Sequence, residues 1–381
     1  MKKVSIISIT FLFALLGCNK GKQLANELIT VDVTNSYPQK ELILQDFMDV
    51  EYIPLDDAEE YTTMGWVHSV GKELVIVRNR LQKTDGKIFM FDRNGKGVRI
   101  INRLGQSGEE YVFLLSILLD ENKNEIFVND HFTKRILVYD LFGNFKRSFN
   151  HLVKDWYDQE IYNFDNEHLL CHTVADQYIV VSKQDGSIAD SVEIPAKENI
   201  SLSVKVGERD EHVRNRRLIP HYDNSWILMQ PSSDTVYRFS SDFSMTPIVV
   251  RTPSILSMDT KKSLFPVVFT KSYFFMQIVE SKWDMETKAF PTTNLIYDLN
   301  ENRIFEYVVY NADITSTKHP VNMVTDFPYG NNEIAFVQVL HAYELIELLE
   351  NGHLKGRLKE IAAGLENEDS NPVLMVVKYK N

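Results

Sequence analysis

Arg103, Glu110 and Tyr111 fall within nine residues of one another and offer a cation, an acceptor and a ring. Such a set can hold a sugar hydroxyl or a peptide, the carboxylate accepting hydrogen bonds and the ring serving as a platform. Similar side chains recur at His131, Arg135, Trp156, Tyr157, His172 and Trp283, and these nine residues form the candidate ligand-binding set. Each also has a structural reading. Glu110 can anchor its own loop, and Asp130 with Arg135 can lock a turn. His168, Cys171 and His172 suggest a metal trio by type alone. On a strand, however, residues 171 and 172 face opposite ways, so one ion cannot easily take both. The sequence holds no EF-hand loop, phosphate-binding loop, GxSxG elbow or HExxH. No catalytic residue, metal site or cofactor is expected.

Composition narrows the class of body that could position these residues. The chain has 381 residues, 53 acidic against 41 basic, with 44% apolar and 11% aromatic. That content can bury a large core and does not describe a disordered chain. A net charge of −12 argues against nucleic-acid backbone as a partner, which needs a basic surface. Two cysteines cannot build a disulfide framework or a four-thiolate zinc site. One of them, Cys171, sits in the apolar stretch His168-Leu169-Leu170-Cys171 and reads as a core residue.

The elements that must position the candidates are repeated strands. Ile88 to Asp92 precedes Arg93-Asn94-Gly95, and Ile136 to Asp140 precedes Leu141-Phe142-Gly143-Asn144. Weaker copies end at Ser182, Ser240 and Asp298, so the strand ends are 48, 42, 58 and 58 residues apart. Asp, Asn and Gly supply the geometries that join adjacent antiparallel strands. Each hairpin follows another: Leu74 to Val77, Glu125 to Val128, His168 to Cys171, Ser225 to Met229 and Glu333 to Val339 lie just after polar turns. Two hairpins per period make a four-stranded unit, the signature of a propeller blade.

The 316 residues from Trp66 onward give about 53 per unit for six blades, starting near residues 66, 114, 160, 217, 265 and 321. The fold class is therefore all-β: a six-bladed β-propeller of four-stranded antiparallel blades. Val50 to Pro54 is placed to close the last blade as its fourth strand, removing an open edge, and Glu27 to Val33 to add a further strand. A short helical insertion is expected in the last blade. Ala342, Leu345, Ile346 and Leu349 share one helix face with Gly352 as the stop, and a second apolar face runs from Leu354 to Leu365. The charged stretch from Glu198 to Arg217 reads as a solvated loop. Ligands are expected on the face built by the loops between blades and between second and third strands, where Arg78, Asp130, Gln230 and His341 also fall.

The N-terminus gives an address. Lys2 and Lys3 precede an uncharged, largely apolar run, Val4 to Leu16, too short to span a bilayer. It ends in Leu15-Leu16-Gly17-Cys18, which resembles the lipobox of bacterial lipoproteins. The resemblance implies cleavage before Cys18 and acylation of its thiol, with residues 1–17 as signal peptide, 18–26 as tether and 27–381 as the propeller. Removing residues 1–17 takes away two lysines and no acid, leaving −14. Asn19 and the following Lys20-Gly21-Lys22-Gln23 point to an outer-membrane lipoprotein facing the periplasm, with surface exposure as the alternative.

The mature chain also resembles the six-bladed β-propeller lipoproteins related to NHL repeats. Asn129 to Asp140 is similar to the NHL consensus, Arg103 to Tyr111 to a Gly-Gln-Gly-Pro-Gly-Glu-Tyr loop, and Asn371-Pro372-Val373-Leu374 to a closing strand. Ser107 and Glu109 replace glycines of that loop, and Gly108 replaces its proline. The family implies a fold without an activity. The expected function is a lipid-anchored ligand- or protein-binding scaffold for a glycan, peptide or protein, without catalysis. The alternative is a calcium-dependent hydrolase of the six-bladed lactonase type. For that, Asn163, Asp165, Asn322 and Asp326 are the plausible oxygen ligands, and the deciding observation is whether carboxylates converge at the channel mouth.

Overall fold

A computed structural model describes residues 28–79, 85–151, 158–173, 177–200, 202–213, 219–324 and 331–380. Cys18, Trp156 and Tyr157, with the signal peptide and tether, lie outside these residues. Six small sheets form a propeller ring, and we letter the strands of each blade a to d in hydrogen-bonding order from the channel outward. Blade 1 comprises Trp66–Val70, Leu74–Arg78, Lys87–Asp92 and Gly97–Asn102. Blade 2 comprises Leu114–Asp120, Glu125–Asp130, Arg135–Asp140 and Phe145–Asn150. Blade 3 comprises Asp158–Asn163, His168–Thr173, Tyr178–Ser182 and Ile188–Val192. Blade 4 comprises His221–Tyr222, Ser225–Leu228, Thr235–Ser240 and Met245–Thr252. Blade 5 comprises Lys262–Phe269, Tyr273–Glu280, Thr292–Asp298 and Arg303–Tyr310. Blade 6 pairs Ile334–Leu340 with Val373–Tyr379 and Met48–Pro54. Its innermost strand, expected from residue 321 onward, falls partly on 325–330, outside the described residues.

The repeat is visible in its irregularities. Strand a carries a bulge in blades 1, 2, 3 and 5, where the register slips beside Val67, Leu114, Asp158 and Pro266. The c–d hairpins share a second device. The carboxylates of Asp92, Asp140, Asp185, Asp242 and Asp298 each accept a backbone N–H two residues on, at 2.8–3.0 Å. These Asx turns bend the chain where the hairpin needs it. Gly95 shows why a glycine follows Asp92: its φ is +85°, and a Cβ there would meet the carbonyl oxygen of Pro54 at 1.8 Å.

Alternation within the strands builds the core between blades. Val75 and Val77 face blade 6, where they pack with Leu374 and Val376. Ile76, between them, faces the other way and packs with Ile117 and Val128 of blade 2. Cys171 is buried in the same way against Phe127 and Val138.

The N-terminal segment wraps three blades. Ile29–Asp32 pairs in parallel with the outer strand of blade 4, as the expected extra strand. Gln39–Ile43 pairs in parallel with the outer strand of blade 5, which the sequence reading missed. Met48–Pro54 then closes blade 6 antiparallel to Val373–Tyr379. Asn371 knots this closure. Its side chain donates to the carbonyls of Asp56 (2.6 Å) and Tyr61 (3.0 Å) and accepts the N–H of Thr63 (2.8 Å). Helices Ala342–Glu350 and Gly356–Ala363 pack their apolar faces on blade 6, and Gly352 ends the first turn sequence at φ +71°. The stretch read as a solvated loop instead contains a hairpin, Ser203–Val206 with Arg209–His212.

Candidate functional site

At the inter-blade-loop end, the candidate set is mostly occupied with holding its own loops. The carboxylate of Glu110 accepts the N–H of Ser107 at 2.9 Å, and that bond holds its pKa below the usual range. Arg135 donates to the carbonyls of Gly108 (3.0 Å) and Glu110 (3.5 Å). Asp130 accepts the N–H groups of Val112, Phe113, Phe132 and Thr133, so it pins two loops at once. Arg103 donates to the carbonyl of Gly143 at 2.8 Å, tying the blade 1–2 connection to the c–d turn of blade 2.

Two expected platforms are buried. Tyr111 is 0% exposed; its hydroxyl donates to the carbonyl of Gly86 (2.5 Å) and accepts the N–H of Arg103 (2.9 Å). Burial pushes its phenol up to about 12. The ring therefore braces the loop from below and presents no free face. His172 is buried as well, stacked on Tyr178 with centroids 4.7 Å apart. His131 remains accessible, in an edge-to-face trio with Phe113 and the exposed Phe132. Trp283 is half-buried in the b–c excursion of blade 5, edge-on to Phe290 at 5.2 Å. Among the described residues of the set, His131 and Trp283 keep the most accessible rings, on blades 2 and 5.

The large cavity opens at the opposite end of the channel. It measures about 1200 Å³ and is lined by the a–b turns of all six blades, near residues 71–72, 120–122, 163–166, 222–224, 269–273 and 331–333. Turn chemistry selects Asn at these bends; Asp223 and Asn224 both have positive φ, +50° and +54°. Radial convergence of the turns then gathers the amides of Asn122, Asn163, Asn166, Asn224, Asn331 and Asn332 around one space. Tyr222 and Tyr273 contribute half-buried rings to the same wall.

The deeper charges of this cavity are already engaged. Lys183 donates to Asp120 at 2.6 Å and to the carbonyl of Asp165 at 2.7 Å, with both side chains of the ion pair almost fully buried. Burial holds the Lys183 ammonium below the usual lysine range even with Asp120 beside it. Glu121 caps the blade 1 turn, accepting the N–H groups of Lys72 (2.5 Å), Glu73 (2.9 Å) and Leu74 (2.9 Å). Asp165 accepts from the ring and backbone of His168. Burial lowers His221 to about 4, so its imidazole is neutral. Lys72, Lys271, Asp46, Asp223 and Glu333 stand exposed at the rim.

The four residues named for calcium are not brought together among the described residues. Asn163 and Asp165 do line the cavity, but Asn322 accepts the N–H of Val324 in its own loop, and Asp326 lies outside the described residues. Among the described residues no three His, Cys, Asp or Glu side chains converge as a metal site would need. None of the seven described candidates lines the cavity; its residues were hard to foresee because each turn is ordinary alone.

Comparison with known proteins concerns the whole described body. The model of the family described as domain of unknown function DUF4934 matches residues 28–378. No curated protein matches the chain in sequence. A crystal structure of a Bacteroides fragilis protein described as exported is 14% identical with a TM-score of 0.58, covering 93% of this chain and 100% of that one. A DUF4221 family member from Bacteroides vulgatus is 10% identical with a TM-score of 0.47, covering 88% and 98%. BamB from Moraxella catarrhalis is 9% identical with a TM-score of 0.35, covering 84% and 83%. At these identities the first likeness concerns the fold alone, and the other two carry no argument.

Proposed function

We propose a function from the premise that the chain belongs to the DUF4934 family, a domain of unknown function spanning residues 28–378: it is a lipid-anchored, extracytoplasmic binding propeller whose ligand is a polyhydroxylated molecule of the oligosaccharide class. One observation carries the reading of the ligand. The 1200 Å³ cavity is lined by six Asn amides and two tyrosine rings, with both signs of charge exposed at its rim, while its deep charges are already paired within the protein. Amides both donate and accept, as hydroxyl groups require, and rings give sugar faces an apolar platform. The cavity volume suits a ligand at or above drug size.

The test is calorimetric titration of the mature body with a panel of cell-envelope oligosaccharides. Tyr222→Ala and Tyr273→Ala should each weaken binding about tenfold, from roughly 1 to 1.5 kcal/mol per lost ring contact. Equal binding by both folded variants refutes the cavity as the site. The anchor rests on Leu15-Leu16-Gly17-Cys18. Cys18→Ser should release the body into the soluble periplasmic fraction, and continued membrane retention without lipid label refutes the anchor.

A further inference from the structure

We propose that Arg78 receives a ligand carboxylate at the inter-blade-loop end of the channel, a site separate from the cavity. Arg78 closes strand b of blade 1, opposite Trp66 at the start of strand a. The strand Leu74–Arg78 carries it about 13 Å from the turn that lines the cavity, at 3.3 Å per residue.

The guanidinium is built into place on two sides. It lies over the Trp66 ring at 4.3 Å, and its Nε–H donates to Nε2 of His68 at 2.7 Å. His68 is fully buried, and burial together with the Arg78 charge keeps its imidazole neutral, so Nε2 can act as the acceptor. These two contacts use one face and one edge of a planar fork. The edge formed by Nη1 and Nη2 has no hydrogen-bond partner among the described residues, and no carboxylate lies within 4.0 Å of it there.

Arg78 is nonetheless only 5% exposed. A buried cation without an anion in direct contact is costly, and burial pulls this guanidinium down to about 10 against the opposing influence of Glu160. An oxyanion delivered to the free edge would complete the site in the bidentate geometry that guanidinium favours. A monoanion fits and a dianion does not. One guanidinium and a neutral imidazole supply a single positive charge, and the Glu160 carboxylate already offsets part of it, so a second negative charge on the ligand would meet net repulsion. A carboxylate, borne by a peptide C-terminus or a uronic acid, meets that condition.

The experiment follows the arginine Nε–Hε correlations of the mature protein by nuclear magnetic resonance. Arg78→Met, or Arg78→Lys if the methionine variant does not fold, assigns the Arg78 signal by its absence. Sodium acetate should move that signal saturably, whereas sodium chloride at equal ionic strength should not. Trialanine against its C-terminal amide, and glucuronate against glucose, then separate the two carboxylate sources. The carboxylate member of at least one pair should shift the signal at lower concentration than acetate, and its neutral partner should leave it in place. A signal that does not respond to acetate, that responds equally to chloride, or that responds equally to both members of each pair overturns the assignment.

Discussion

Replacing Lys183 with methionine should destabilise the propeller by about 3–5 kcal/mol, the range for breaking a buried ion pair from one side. The magnitude follows from what is left behind. Lys183 and Asp120 are 3% and 5% exposed at their side chains, so solvent screens little of the loss. Without the ammonium, Asp120 keeps the N–H of Lys123 at 3.2 Å, and the carbonyl of Asp165 also loses a donor. The pair joins the end of strand a in blade 2 to the residue following strand c in blade 3, so the cost falls on the contact between blades. Lys183→Met combined with Asp120→Asn removes both charges and should recover most of the loss, to within about 2 kcal/mol of the parent. The assay is urea unfolding at neutral pH, read as a shift in midpoint at constant slope. A single variant costing under about 1 kcal/mol, or a double variant less stable than the single, refutes the reasoning.

Glu125 provides a pH signature. Burial raises its pKa, but bidentate Arg147 at 2.7 and 2.8 Å and Lys146 at 2.5 Å outweigh it, lowering the value from 4.5 to about 2. A carboxylate with a depressed folded pKa contributes fully above the unfolded value and loses that contribution as pH falls from about 4.5 to about 2, here about 3 kcal/mol. Glu125→Gln should flatten the urea midpoint over that window; an unchanged slope contradicts the assignment. Asn371→Ala should cost about 3 kcal/mol, because two carbonyls and one N–H at the closure lose their partner, and thermal unfolding reads it. Removing residues 28–54 should expose the edge of Val373–Tyr379 and drive aggregation seen by light scattering, whereas a stable monomer would mean the closure is dispensable.

The repeat was legible because its signals are local. Asp followed by Asn or Gly at residues 92, 140, 185 and 298 reports a turn whose carboxylate and backbone settle the bend with no distant partner. Closure by residues 50–54 was legible too, since an incomplete last blade and an apolar strand before the first have one mutual solution. Gln39–Ile43 was not, for its sequence QKELI is mostly exposed and becomes a strand only against the outer edge of blade 5. Tyr111 was misread for a related reason. An aromatic in a polar loop resembles a platform until the loop folds back and places the hydroxyl on Gly86. The cavity needs six turns, most of them some fifty residues apart, and no single turn announces it.

The central claim is that a polyhydroxylated ligand enters at the a–b turns. Hydrogen–deuterium exchange of the mature protein, with and without the best oligosaccharide of the panel, tests it most directly. Protection should appear in the amides near residues 71–74, 120–124, 163–168, 222–225 and 269–273, which surround the cavity. Protection confined to residues 103–111 and 131–135 at the other end, or no protection with any member of the panel, would contradict the account.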